Sequence, residues 1–107
     1  MAKIIWDEKA ERALDEHVEY AYKEFGKTTA QRWLNERNAK EWRLEHYPES
    51  YPPEELLTGR KKLYRMCHLM NRRFKLIHYY EESEDTVHIV DIWDTRMCPK
   101  ALIRRIK

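Results

Sequence analysis

Apolar residues recur at two different spacings along this 107-residue chain. Residues 3–6 (KIIW) are a short run of β-branched and aromatic side chains, which predicts a first strand. From residue 10 to residue 25 the apolar positions return every three or four residues, which predicts an amphipathic helix. Asp7 is the expected N-cap of this helix, and Gly26 is expected to end it.

A second helix is predicted to start at the capping-box spacing of residues 28–31 and to end near Tyr47 and Pro48. About three residues would then join the two helices, which predicts a helical hairpin. Residues 48–59 contain three of the four prolines, so we expect a loop there, with a turn at 54–57.

Three further strands are predicted at residues 63–69, 74–80 and 86–93, separated by residues 70–73 and by the acidic turn 81–85. Such short separations favour an antiparallel meander. Residues 99–107 predict a short C-terminal helix with Pro99 near its start. The predicted fold is therefore α+β, a single domain over residues 1–107 in the order β-α-α-β-β-β, with the helical hairpin packed on a small twisted antiparallel sheet.

The pairing register decides which side chains share a face of this sheet. If Thr86 pairs with Tyr80 across the acidic turn, His78 lies opposite His88, and a neutral hydrogen-bonded core pair is favoured over a metal site. The face expected against the helices holds Phe74, Leu76, His78, Val90 and Ile92. The face expected to be open holds Lys75, Ile77, Tyr79, Ile89, Asp91 and Trp93. Whether Arg65 joins Lys75 on the open face depends on the length of the 70–73 turn, which the sequence leaves undecided.

Charge is unevenly distributed along the chain, although the net charge is only +2. Residues 1–55 carry a net charge of −4 and residues 56–107 a net charge of +6. Residues 56–80 contain seven Lys or Arg and no carboxylate. A basic stretch of this kind is typical of a surface that meets a polyanion.

The remaining chemistry-bearing residues give no ligand pattern. Cys67 and Cys98 lack the spacing of a metal site, and the five histidines lack it too, so we expect no metal and no cofactor. Unpaired cysteines are typical of a reduced, cytoplasmic protein. No apolar run approaches 18 residues, so neither membrane insertion nor export is expected.

Four passages, in this order and spacing, resemble the RelE/ParE superfamily of toxins from bacterial type II toxin–antitoxin modules. They are KIIWDEKAERALDE, LTGRKKLYRM, RRFKLIHYY and HIVDIWDTRMCPKAL, and they extend over nearly the whole chain. The resemblance implies a helical hairpin on a small, strongly twisted antiparallel sheet, which agrees with the pattern above.

The resemblance also implies a site. In the RNA-cleaving branch, basic residues of the central strands and of the loop after the last strand surround the scissile phosphate of ribosome-bound mRNA. By position, the corresponding catalytic residues here are Arg65, Lys75 and Arg96, with Arg65 and Lys75 on one face. The other basic residues expected to bind nucleic acid are Arg60, Lys61, Lys62, Arg72 and Arg73.

Several groups of the RNA-cleaving branch are missing from this chain. A second strand Lys is replaced by Cys67, no Tyr lies near residues 101–102, and His88 lies inside a strand and not in the tail. Metal-independent RNA cleavage needs a base and an acid besides cations. His68 is a candidate base if it reaches the open face.

The first hypothesis from the sequence is a toxin of a plasmid-stabilisation module, held inactive by a cognate antitoxin and cleaving ribosome-bound mRNA. One alternative is a ParE-like toxin that poisons DNA gyrase without cleaving anything. Another is a non-toxic nucleic-acid-binding module on the same fold, whose affinity for RNA would fall steeply with salt.

Overall fold

The computed structural model describes residues 1–106, so the last position of the predicted C-terminal helix, Lys107, lies outside the described residues. The elements are strand β1 (Lys3–Trp6), helices α1 (Glu8–Phe25) and α2 (Lys27–His46), strands β2 (Arg65–Leu69), β3 (Phe74–Glu81) and β4 (Thr86–Asp94), and helix α3 (Pro99–Arg105). A 3-10 turn at Glu55–Leu57 and another at Glu82–Glu84 complete them. The predicted α+β class and the order of elements are confirmed.

The four strands form one sheet in the order β1-β4-β3-β2. The meander of β2, β3 and β4 is antiparallel as predicted, whereas β1 pairs parallel to β4. The sheet is therefore mixed. The parallel pair follows from topology, because the helical hairpin carries the chain from the end of β1 back across the sheet.

The helical hairpin covers one face of the sheet and builds the larger core. Leu14 of α1 and Leu44 of α2 pack with Leu76 and Ile89 of the sheet, and all four are almost fully buried. The helix-facing positions of the strands alternate with outward positions, as the period of a strand requires. Leu76 was predicted in this layer, whereas Ile89 was expected on the opposite face of the sheet.

The connection between the helices differs from its prediction. Gly26 alone separates α1 from α2, and the predicted capping box of residues 28–31 lies inside α2. Gly26 has φ +96°, a left-handed conformation that side chains rarely adopt, and its amide donates to the carbonyls of Ala21 and Tyr22. The capping-box prediction was wrong because a glycine in this conformation reverses the chain without extra residues.

The predicted register of β3 and β4 is also wrong. Tyr79, not His78, lies opposite His88, and a β-bulge follows in which Val90 has no partner between the Ile77–Asp91 and His78–Ile89 pairs. A bulge adds one residue to one strand and exchanges the faces of the residues beyond it. Ile89 consequently faces the helices, and Val90 faces away from them.

The opposite face of the sheet, which was expected to be open, is largely covered. Leu57 of the first 3-10 turn and Leu102 and Ile106 at the C-terminus pack on Ile77 and Trp93 in a second apolar cluster. Tyr64 and Met66 complete this cluster. The structure therefore has two apolar layers, one on each side of the sheet.

An ion pair holds α3 against this second face. The guanidinium of Arg105 donates to both carboxylate oxygens of Asp91, at 2.7 and 2.8 Å, and Asp91 is fully buried in β4. The ammonium of Lys9 lies 3.8 Å from the same carboxylate, and the amide of Ile92 donates to it at 2.9 Å. The negative charge of Asp91 is thus compensated by two cations and one backbone amide.

Within residues 1–106, none of the helices is both long enough and apolar enough to cross a membrane.

Candidate functional site: the cavity at strands β2 and β3

The three residues predicted to be catalytic lie in three different environments. Arg65 is the cross-strand partner of His78 and shares its face, which is the face toward the helices. Its guanidinium donates to the carbonyl of Tyr51 at 2.6 Å and lies 3.8 Å from the carboxylate of Glu49. Arg65 therefore ties the 47–64 loop to the edge of the sheet.

Lys75 lies on the other face of the sheet, so the expected common face of Arg65 and Lys75 is not observed. Its ammonium donates to both carboxylate oxygens of Glu54, at 2.9 and 3.0 Å. Glu54 is only 3% exposed and is held by the bond from its amide to the carbonyl of Tyr64. The positive charge of Lys75 is thus neutralised inside the chain.

Arg96 follows β4 and remains exposed, with its guanidinium 3.3 Å from the carboxylate of Asp94. The structure does not bring Arg65, Lys75 and Arg96 together. The pairing register of β2 and β3 separates Arg65 from Lys75. Arg65 lies opposite His78, and His78 is three positions from Lys75 on β3, so the two side chains point to opposite faces. His68, not Arg65, is the cross-strand partner of Lys75.

His68 and Lys75 line an open cavity of about 550 Å³, which we call the β2–β3 cavity. The lining residues are Pro52, Pro53, Glu54, Glu55, Leu56, Met66, His68, Arg72 and Lys75. Burial, and next the charges of Arg72 and Lys75, lower the pKa of His68 below its usual value. Its imidazole is therefore neutral near pH 7 and can accept a proton.

The turn between β2 and β3 places Arg72 at this cavity. Met70, Asn71 and Arg72 all have positive φ, at 52°, 56° and 67°. A left-handed backbone conformation costs about 1–2 kcal/mol for an ordinary residue, and less for asparagine. The turn is held in place by α2, because the carboxylate of Glu36 accepts from the amide of Met70 at 2.8 Å and Arg32 donates to the side chain of Asn71 at 2.7 Å.

The residues predicted to bind nucleic acid divide into two groups. Arg72 and Arg73 lie at the turn where β3 begins, whereas Lys62 packs over the ring of Tyr79 near the end of β3, 4.3 Å from its centroid. Arg60, Lys61, Lys62 and Tyr64 line a separate cavity of about 290 Å³. Phe74 and Tyr79 are five residues apart on β3, and each residue rises about 3.3 Å. The basic group at the turn and the basic group near Tyr79 therefore lie about 17 Å apart along the strand.

Arg60 has a structural contact as well as a charge. Its guanidinium donates to the carbonyls of Ile103, at 2.9 Å, and of Ile106. Both carbonyls lie at the C-terminal end of α3, where the helix dipole favours a cation. Arg60 therefore helps to hold α3 over the sheet.

The histidine pair expected in the core is replaced by two separate environments. His78 is fully buried beside the ring of Tyr51, and neither ring nitrogen has a hydrogen-bond partner within residues 1–106. His88 stacks on Tyr79 with ring centroids 4.8 Å apart and contacts the carboxylate of Glu81 at 3.1 Å. In the described part of the chain no three His, Cys, Asp or Glu side chains form a group that could hold a metal ion.

The two thiols also differ. Cys67 is buried against the helices, and burial raises its pKa to about 12, whereas Cys98 is exposed before α3. Sequence reasoning missed Glu54 altogether. The Pro-Pro-Glu-Glu segment gives no sign that one of its two carboxylates is buried on a lysine.

Comparisons with known proteins agree with this architecture. Residues 4–99 match the family described as the ParE toxin of the type II toxin–antitoxin system parDE. No curated protein sequence matches the chain significantly.

Three solved structures share the fold at low sequence identity. The chromosomal ParDE TA system from P. aeruginosa is 18% identical, with a TM-score of 0.68 over 88% of this chain and 96% of that one. A metal-bound toxin from Helicobacter pylori is 20% identical, with a TM-score of 0.63 over 90% and 97%. The isolated E. coli RelE toxin is 16% identical, with a TM-score of 0.55 over the full length of both chains.

The match to the family covers most of the sequence and agrees with the fold, so the resemblance to the RelE/ParE superfamily is confirmed. This chain belongs to the ParE toxin family of type II toxin–antitoxin systems.

Proposed function

We propose that this toxin arrests growth by binding DNA gyrase, without cleaving RNA, and that a cognate antitoxin neutralises it. The observation that carries the proposal is the separation of Arg65, Lys75 and Arg96, each of which contacts a carboxylate of its own chain. Membership of the ParE family supports the antitoxin partner. The gyrase target follows from the ParE-like branch of the resemblance, whose members poison gyrase without cleaving RNA.

RNA cleavage develops negative charge on the oxygens of the scissile phosphate. The phosphorane intermediate needs donors that converge on the same oxygens at hydrogen-bond distance. Arg65 and Lys75 lie on opposite faces of the sheet, and the ammonium of Lys75 is already bound by both oxygens of Glu54. These cations cannot converge on one phosphate in this arrangement.

The experiment combines a supercoiling assay on purified gyrase with primer-extension mapping of mRNA ends after induced expression. Wild-type toxin is expected to inhibit supercoiling and to leave the mRNA ends unchanged. The variant that combines Arg65→Ala, Arg96→Ala, Glu54→Gln and Lys75→Gln should remain toxic if it folds, which circular dichroism checks. New mRNA ends with unimpaired supercoiling would contradict the gyrase proposal.

RNA cleavage is a second candidate, because the β2–β3 cavity brings His68, Arg72 and Lys75 together. His68, with its lowered pKa, could take the proton from the ribose 2′-hydroxyl. Arg72 could stabilise the phosphorane, and the ammonium of Lys75 could donate a proton to the leaving 5′-oxygen. The products would be a 2′,3′-cyclic phosphate and a 5′-hydroxyl.

His68→Gln tests this second candidate, with His46→Gln as the matched control on the exposed end of α2. If the cavity cleaves RNA, His68→Gln should remove the new mRNA ends while His46→Gln keeps them. Expression of the wild-type chain without growth arrest would contradict both toxic activities and favour the non-toxic nucleic-acid-binding alternative.

A further inference from the structure

Three consecutive non-glycine residues have a left-handed backbone in the turn between β2 and β3. Met70, Asn71 and Arg72 have φ of 52°, 56° and 67°. Hairpin turns that need positive φ usually place Asn-Gly, Asp-Gly or Gly-Gly there, because glycine has no Cβ to clash with the backbone. Asparagine tolerates this conformation, but methionine and arginine disfavour it. Strain of this kind persists only where surrounding contacts impose it, and it is concentrated at functional sites.

Two side chains of α2 hold the first half of the turn. The carboxylate of Glu36 accepts from the amide of Met70 at 2.8 Å, and the guanidinium of Arg32 donates to the side-chain oxygen of Asn71 at 2.7 Å. Arg32 and Glu36 also pair with each other at 2.9 Å, one turn apart on the helix. We call this pair the α2 clamp. Both of its bonds to the turn involve a charged group, so they are stronger than ordinary hydrogen bonds.

Thr95, directly after β4, holds the second half of the turn. Its hydroxyl donates to the carbonyls of Arg72, at 3.2 Å, and of Arg73, at 2.8 Å, and its amide donates to the carbonyl of Arg73 at 2.9 Å. The turn has one backbone bond of its own, from the amide of Arg73 to the carbonyl of Met70 at 3.1 Å. The strained conformation is therefore imposed from two sides by other segments of the chain.

The turn also places a free cation at the β2–β3 cavity. Arg72 and Lys75 both line this cavity. The ammonium of Lys75 is bound by Glu54, whereas no carboxylate in residues 1–106 lies within ion-pair distance of the guanidinium of Arg72. After burial, the charge of Arg72 is the next cause that lowers the pKa of His68. The position of Arg72 therefore determines the charge that the cavity presents.

We propose that the β2–β3 turn has two conformations and that the α2 clamp selects the strained one, in which Arg72 lies at the β2–β3 cavity. Without the clamp the turn relaxes to ordinary backbone angles, and the guanidinium of Arg72 leaves the cavity. Arg32 and Glu36 are positioning residues, since they act on the cavity through the turn and do not line it. The inference concerns the charge of the cavity, so it is independent of whether the toxin acts on gyrase or on RNA.

The test observes the turn by NMR in full-length toxin labelled with ¹⁵N and ¹³C. Glu36→Ala removes the acceptor of the Met70 amide and breaks the α2 clamp. Hydrogen exchange at the Arg73 amide should then accelerate by about tenfold or more. This amide does not contact Glu36, so its exchange reports the opening of the turn. The Cα shifts of Met70 and Arg72 should move from left-handed values toward ordinary ones.

Two variants are the controls for Glu36→Ala. Glu45→Ala removes another glutamate of α2, near the end of the helix where the carbonyl of Glu45 accepts from the amide of Ala2. It should leave the turn unchanged. Glu36→Gln removes the charge but keeps an oxygen that can accept from the Met70 amide, so it should keep most of the protection at Arg73.

The imidazole of His68 reports where the guanidinium of Arg72 lies. Arg72→Gln removes the positive charge and should raise the pKa of His68 toward its usual value. Glu36→Ala should raise this pKa as well, because Arg72 leaves the cavity. A direct effect of the lost carboxylate would have the opposite sign, since removal of a negative charge lowers the pKa of a histidine. NMR titration of the His68 imidazole measures both variants.

A pair of substitutions at position 72 tests the strain without any change in the α2 clamp. Arg72→Gly and Arg72→Ala both remove the side chain, but only glycine adopts a φ near +67° without cost. Where the backbone is unstrained, glycine makes a folded chain less stable than alanine does. Here the order should be reversed. In urea denaturation, the unfolding equilibrium constant of Arg72→Gly should be about tenfold smaller than that of Arg72→Ala.

Three outcomes overturn the proposal. The first is a Glu36→Ala variant in which the exchange of the Arg73 amide and the Cα shifts of the turn are those of wild type. The second is a pKa of His68 in Glu36→Ala that equals the wild-type value or falls below it. The third is an Arg72→Ala variant at least as stable as Arg72→Gly, since the turn would then be unstrained. None of these measurements uses toxicity or gyrase inhibition, so failure here leaves the proposed function untouched.

Discussion

One face of the sheet is covered by helices of 18 and 20 residues, whereas the opposite face is covered by a seven-residue helix and a 3-10 turn. The first covering is apolar packing of long amphipathic elements. The second needs charged contacts as well, with Arg105 on the buried Asp91 and Lys75 on the buried Glu54. Short elements bury too little apolar area to stay in place by packing alone.

The two faces also differ in where buried charge lies. The helix-covered face holds the larger apolar core, whereas the two buried carboxylates, Asp91 and Glu54, and the β2–β3 cavity lie on the other face. Charge in the second layer holds the covering segments in place, and it also neutralises Lys75, one of the residues predicted to be catalytic.

The largest effect is expected for Leu76→Ala on the helix-covered face. Leu76 is fully buried on β3, on the sheet face that the two long helices cover, and these helices are too constrained to fill the space, so we expect a loss of about 4 kcal/mol in unfolding free energy. Leu102→Ala removes an equally buried leucine from α3 and should cost about 2 kcal/mol, because a short terminal helix can relax. Urea denaturation measures both, and equal losses would show that the two layers are alike.

The second effect is a dependence of stability on pH caused by His78. Burial lowers the pKa of His78 to about 4, below the usual value of 6.5 that it regains on unfolding. The unfolded chain therefore binds the proton first, so this contribution is complete above pH 6.5 and is lost as the pH falls toward 4. The loss is roughly 3 kcal/mol.

Urea denaturation between pH 7.5 and pH 4.5 measures this dependence, with His78→Leu as the reference variant. Subtracting the His78→Leu curve removes the contribution of the carboxylates. A difference between wild type and variant that stays constant with pH would contradict the buried, unbonded imidazole.

The third effect tests the ion pair that holds α3. Arg105→Met leaves the carboxylate of Asp91 buried with Lys9 as its remaining cation, and we expect a loss of about 2 kcal/mol. The expected loss is smaller than the usual cost of breaking a buried ion pair, because the Arg105 side chain is 38% exposed. Fluorescence of Trp93, whose ring lies beneath Arg105, should report the loosening of α3.

Arg104→Met is the matched control for Arg105→Met, since Arg104 is the exposed neighbour in the same helical turn. It should leave both the stability and the fluorescence close to wild type. The same loss in both variants would mean that net charge, and not the Asp91 contact, accounts for the effect.

The smallest effect is expected when both members of the second pair are neutralised together. Glu54→Gln with Lys75→Gln removes both charges together and leaves a polar amide at each position, so stability should change by about 1 kcal/mol or less. Lys75→Ala alone should cost more, because it leaves Glu54 buried without its cation. Thermal unfolding compares the two, and a milder effect of the single change would contradict the pairing.

Much of the fold could be predicted from local pattern. The strand of β1 and the helix of α1 are found at the predicted residues, because their apolar spacing and the flanking Asp7 and Gly26 are local signals. The connection between α1 and α2 could not be predicted, because Gly26 and the capping-box sequence of residues 28–31 indicate different starting points for the second helix. The bulge at Val90 has no sequence signal either, and it exchanged the faces of Ile89 and Val90.

The arrangement of the candidate site could not be predicted from the sequence, although some of the predicted residues line one cavity. Lys75 and Arg72 were expected to meet a polyanion, and His68 was named only as a base that needed the right face. Arg65 lies on the helix side because His68 takes the position opposite Lys75. Glu54 was not expected, since the loop that carries it is positioned by backbone bonds to Tyr64 and Met66 that no periodicity reveals.

The sequence by itself determined the order of elements, the apolar stripe of α1 and the gathering of positive charge after residue 56. The tertiary structure alone decided which charges meet, because strand register, a single bulge and the path of the 47–64 loop set the faces and the partners. Apolar periodicity is a property of neighbouring residues and can be seen in the sequence. The pairing of Lys75 with Glu54 and of Arg105 with Asp91 depends on contacts between distant segments, and only the folded chain brings them together.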